Sequence, residues 1–158
     1  MDDHGWTPRY ESRKSIEEAV KALGIDRSRF YEYSKTGYQK VINQFYYAFT
    51  DHEKHPKVNL DYCWLHFRKD LKTIDIISEN VGRGNMLGTI MEKRFFDSGE
   101  KLFLILDDGW VYEGYPDEMI RVLCDADIPA NDFYIVSERF DRFVSYCEDG
   151  ECLVFTEK

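Results

Sequence analysis

The chain lacks the motifs that mark common catalysts. Its 158 residues contain no Gly-x-Ser-x-Gly elbow, no Gly-Lys-Ser/Thr phosphate loop and no Cys-x-x-Cys pair, so familiar serine hydrolase, P-loop and zinc-ribbon chemistry find no support. No stretch approaches the ~20 apolar residues of a membrane span. The opening Met1-Asp2-Asp3-His4-Gly5 has neither a positive nor an apolar signal region, which predicts a cytoplasmic protein. The cysteines Cys63, Cys124, Cys147 and Cys152 show no ligand cadence, and only four histidines are present. Neither a metal nor a cofactor is expected.

Positive charge is scarce in one half. Residues 1–80 carry 13 basic and 13 acidic side chains, whereas residues 81–158 carry 8 and 17, so the formal charge of −9 belongs to the second half. Such asymmetry disfavours nucleic acid and favours a cationic protein partner. Aromatic residues are abundant, at 16%, and suit both a dense core and a binding face. A chain of this length forms one domain and buries roughly 70% of its unfolded surface.

Residues 1–13 read as a loose polar arm. Ser15-Ile16-Glu17-Glu18 has the form of a capping box, with Ile16, Val20 and Leu23 on one stripe before Gly24, which predicts a short helix. Asp26 to Phe30 reads as a helical turn, and Val41, Ile42, Phe45, Tyr46 and Phe49 mark a second helix within 38–50. Leu60 to Leu71 fits either a helix or a strand. Thr73 to Ile77 reads as a strand, and Met86 to Phe96 carries a helical stripe. The run Lys101-Leu102-Phe103-Leu104-Ile105-Leu106 has the composition of a strand covered on both faces. Asp108-Gly109 turns the chain back into Trp110-Val111-Tyr112-Glu113. Pro116, with Asp117 and Glu118 behind it, opens a helix. Strands follow at 133–136, 143–147 and 152–155. The expected architecture is α+β, a single domain over 1–158 with one mainly antiparallel sheet and helices packed on one face.

Several side-chain groups suggest chemistry and then fall short of it. Gly82 to Gly88 lies between a strand and a helix, where a phosphate loop belongs, but its glycine spacing fits no fingerprint. His52 and His55 could share a metal on a helical face, yet Pro56 follows at once. His66 could act as a base, but no activated nucleophile accompanies it. Adjacent acids such as Asp107-Asp108 serve as turn formers and helix-start partners rather than as a glycosidase pair. An Asp149-Gly150 turn would set Cys147 opposite Cys152, where a reducing compartment favours two free thiols.

The strongest functional signal is collective. Eight acids lie between Asp107 and Asp132, offset by Arg121 alone, with aromatic residues among them. Asp107, Asp108, Trp110, Tyr112, Glu113, Tyr115, Asp117 and Glu118 are thus candidates for a face that binds a basic protein. The stretch from Leu102 to Tyr115, with Asp132-Phe133-Tyr134-Ile135-Val136-Ser137 and Phe140-Asp141-Arg142-Phe143, resembles the carboxy-terminal half of small bacterial α+β proteins, some of whose relatives resemble immunity proteins. The resemblance implies a non-enzymatic bacterial protein, and its motifs carry over no functional residue. The competing expectation is a small hydrolase or ligand-binding domain with a cleft near His66 and the Gly82 to Gly88 loop.

Overall fold

The computed structural model describes residues 10–60, 63–78, 83–126, 132–147 and 152–158. Helix α1 spans Tyr10–Leu23 and buries Ile16, Ala19 and Val20 at helical spacing. It begins inside the expected arm, so Ser15 lies within the helix and is not its cap. Its end follows the sequence: Gly24 takes φ +63, its amide donates to Lys21, and the Ile25 amide donates to Val20. That pair of bonds closes a helix on a left-handed glycine.

Asp26 to Phe30 forms a turn in which the Asp26 carboxylate accepts the Ser28 amide at 2.8 Å. The chain then enters β1, Phe30–Glu32, where the sequence suggested a helical turn. Helix α2 spans Tyr38–Phe49. The ambiguous segment becomes a short 3-10 helix, Cys63–His66, followed by β2, Lys72–Ser78. Helix α3 covers Arg83–Glu92, so Gly84 and Gly88 are helical residues and not part of a phosphate loop.

The second half forms β3 (Leu102–Leu106), β4 (Val111–Gly114), α4 (Pro116–Asp125), β5 (Asp132–Ser137), β6 (Arg142–Cys147) and β7 (Cys152–Glu157). Gly109, at φ +112, makes the β3–β4 turn. Pro116 opens α4 with Asp117 and Glu118 in its first turn.

The seven strands make one antiparallel sheet in the order β1-β4-β3-β5-β6-β7-β2. The chain is therefore α+β. Its layering, however, is two-sided. On one face, the Tyr112 hydroxyl reaches Glu17 of α1, Phe155 meets Phe95 just beyond α3, and α4 lies against α1 and α3. On the other, Phe45 and Phe49 of α2 lie 4.8 Å from Tyr134 and 4.4 Å from Phe143. Helices on one face alone could not cover this sheet, because every residue of β3 and β5 is buried and half of each strand points each way. A single hydrophobic cluster runs through both layers.

Candidate functional site

The sheet separates the acidic and aromatic candidates. Asp107 and Asp108 lie in the β3–β4 turn, where the Asp107 carboxylate accepts the Asp132 amide at 3.2 Å and Asp108 is 5% exposed. Trp110 is buried, edge-on to Tyr38 and beneath the Arg13 guanidinium. Tyr112 is fully buried, stacked on Phe30. Neither ring is the wet anchor that its place in the sequence suggested. Alternation along β4 sends Tyr112 to the α1 face and Glu113 to the α2 face.

The other four candidates gather where β4 ends. Glu113 accepts a hydrogen bond from the Tyr31 hydroxyl of β1, and that oxygen accepts one from the Lys101 ammonium at 3.2 Å. Tyr115 lies under the Arg29 guanidinium at 4.2 Å, and Arg29 is ion-paired with Glu118 at 2.7 Å. Asp117 is exposed beside them.

The β5–β6 turn completes this end of the sheet. Register sets the neighbourhood: Phe103 pairs with Glu113 on one side and Val136 on the other, and Glu138 follows two residues on, in the turn after β5. Hydrogen bonding to the Glu113 carboxyl, with partial burial, pushes the Glu138 carboxyl up to about 7. Two carboxyls hydrogen-bond only through a proton, which explains the direction. Burial and the bond to Glu113 also push the Tyr31 phenol up, and the bond to Tyr31 pushes Lys101 up. Glu138 lines a cleft of about 400 Å³ with Glu100, Lys101, Arg139 and Arg142. Arg142 is held by Glu100, Asp141 and the Phe95 carbonyl.

The remaining candidates lie elsewhere. His55 and His66 stack at 3.7 Å at the joint where the Asp51 amide donates to the His66 carbonyl. His66 lines neither this cleft nor the second one, along α2, bounded by Gln39, Asn43, Tyr47 and Phe140. Gly82 lies outside the described residues. Among the described residues no group of three His, Cys, Asp or Glu side chains is placed to hold a metal ion, and no helix is long and apolar enough to cross a membrane. Register sets Cys147 opposite Cys152; their side chains and residues 148–151 lie outside the described residues. The Cys63 thiol is buried against the Tyr134 hydroxyl, and Cys124 is exposed.

Tyr31, Lys101 and Glu138 are the site residues that sequence reasoning missed. They lie 82, 12 and 25 positions from Glu113, and no local pattern links them; a β1 strand read at Phe30 would have been the only pointer. No curated protein sequence matches the chain significantly. The profile of a family of unknown function, DUF6756, matches residues 8–158, and the chain belongs to that family.

Proposed function

We propose that this chain is a non-catalytic domain of the bacterial cytoplasm that binds a basic partner protein at the end of the sheet formed by Glu113, Glu138, Tyr31, Tyr115 and Asp117. The observation that carries the reading is the gathering, where β4 ends, of the Glu113 carboxylate under the Tyr31 hydroxyl, the Tyr115 ring and the exposed Asp117 and Glu138. A guanidinium or ammonium group from a partner can donate to the Glu113 and Glu138 carboxylates at once, in charge-assisted hydrogen bonds. The half-buried rings of Tyr31 and Tyr115 supply the aromatic surface that interfaces favour. The net charge of −9 adds long-range attraction for a cationic partner and speeds encounter. The narrower form of the reading is an immunity protein that occludes the cationic site of a nuclease-type toxin, since any protein that grips polyanions displays such a site.

A hexa-arginine peptide serves as the test ligand. Glu113→Gln/Glu138→Gln preserves shape and hydrogen bonding to Tyr31 while removing both charges. Its affinity for the peptide, measured by calorimetry at low salt, should fall on the order of tenfold, equivalent to about 1.4 kcal/mol. Added salt should weaken wild-type binding. Equal affinity in wild type and variant would contradict the reading.

A further inference from the structure

We infer that the groove between helix α2 and the β5–β6 turn is a binding site for a neutral saccharide. The groove has a volume of about 680 Å³ and is bounded by Gln39, Lys40, Asn43, Gln44 and Tyr47 of α2 and by Phe140 of the turn. The composition of α2 already sets it apart. Its inner stripe, with Val41, Ile42, Phe45, Tyr46 and Phe49, goes to the core, and the outer face of such a helix ordinarily carries charge. In a chain with 30 acidic side chains, these 12 residues hold no acid and one lysine, and three carboxamides take outer positions. Asparagine is a poorer helix former than alanine or glutamate, so helix formation does not account for Asn43 in mid-helix.

The geometry turns these side chains into a site. Gln39 Nε2 donates to Asn43 Oδ1 at 2.8 Å, one helical turn away. That bond couples the two amides and leaves the Gln39 oxygen and the Asn43 nitrogen as an adjacent acceptor and donor. Neighbouring hydroxyls of a sugar ring, each both donor and acceptor, satisfy such a pair. Tyr47 follows one turn further along the same stripe. Its ring is 46% exposed and is held edge-on by Tyr46 at 6.0 Å and by His52 at 5.2 Å. The electron-rich face of this fixed ring suits the C–H groups on the apolar face of a pyranose. Phe140 closes the other side. It takes φ +54, a left-handed conformation that bulky residues rarely adopt and that clusters at ligand clamps, and its ring is backed by Phe103, stacked at 5.7 Å.

Other ligand classes fit this groove less well. Lys40 is the one charged side chain among its described lining residues. It repels the cationic groups that the acidic end of the sheet attracts and, in a chain of net charge −9, draws an anion only weakly. A purely apolar ligand would strip water from three carboxamides and return no hydrogen bond. An extended peptide cannot add to a strand here, because the wall is a helix whose main chain is already bonded to itself. A ring with hydroxyls on its rim and C–H groups on its face uses every wall.

Amide NMR of the labelled protein, titrated with maltotriose and with N,N′,N″-triacetylchitotriose, tests the site. At least one of the two sugars should move the Gln39, Asn43 and Gln44 side-chain amides and the Phe140 backbone amide saturably, with a Kd on the order of 1 mM. Added salt should leave that affinity unchanged, because no ion pair is made. Tyr47→Ala and Asn43→Ala lie on the outer side of α2 and favour the helix, so both variants should fold, and each should weaken binding by about fivefold or more. Tyr47→Phe, which keeps the ring, should bind as the wild type does. The absence of a saturable shift with either sugar overturns the inference. So do groove shifts that both alanine variants leave unchanged, and so does an equal response to trialanine, which would make the groove a peptide site.

Discussion

Replacing Phe143 by alanine should destabilise the protein by about 3–5 kcal/mol, the range for removing a buried aromatic ring. Phe143 is fully buried on the α2 face, with ring centroids of Phe45, Phe49 and Phe67 at 5.4, 4.4 and 5.0 Å. These rings come from α2, from the residue just after the 3-10 helix and from β6, so no single element can close the space left behind. A domain of this size is stable by only about 5–15 kcal/mol, which makes the expected loss a large share of the total. Urea unfolding should show the midpoint falling with little change in slope. A loss below about 1 kcal/mol, the scale of an ordinary surface change, would mean that α2 does not cover this face.

Gly114→Ala should also be costly, for a backbone reason. A Cβ at Gly114 would lie 2.5 Å from the Arg29 carbonyl oxygen and 2.8 Å from the Phe30 Cα. Both belong to the main chain entering β1, which pairs Phe30 with Gly114, and neither can move aside without parting β1 from β4. Overpacking of this kind costs about 1–3 kcal/mol. The variant should also weaken the Tyr31–Glu113 bond, because β1 carries Tyr31, and so coarsen the site. Gly99→Ala is the control. A Cβ there meets nothing within 4 Å, so its effect should stay within about 0.5 kcal/mol. Equal stability of the two variants would contradict the β1–β4 pairing.

Most strands were legible because their signals are local. The apolar run from Leu102 to Leu106, the Asp108-Gly109 turn and the Pro116 helix start each rest on adjacent residues, and each stands as read. The layering was legible too, in a run that is apolar at every position, which already required cover on both faces. Gathering the helices on one face overlooked that demand. Short β1 was hidden because three residues, Phe30-Tyr31-Glu32, form a strand only by pairing with a segment 82 positions away. The candidate site shows the same divide. Acid and aromatic side chains close in sequence between Asp107 and Glu118 were parted by strand alternation and by the length of β4, while Glu113 found Tyr31 and Glu138 across the sheet. Burial decided the aromatic assignments: Trp110 and Tyr112 look amphipathic in sequence, but both are buried, and the Tyr112 hydroxyl is used inward on Glu17.

The most direct test of partner binding is chemical-shift mapping of the labelled protein titrated with hexa-arginine. The amides of Tyr31, Lys101, Glu113 and Glu138 should shift together and saturably, with those at the opposite end of the sheet, around Asp107, Asp108 and Asp132, unmoved. Shifts centred on that opposite end, or scattered over the acidic surface without saturation, would contradict a partner site at the carboxyl pair.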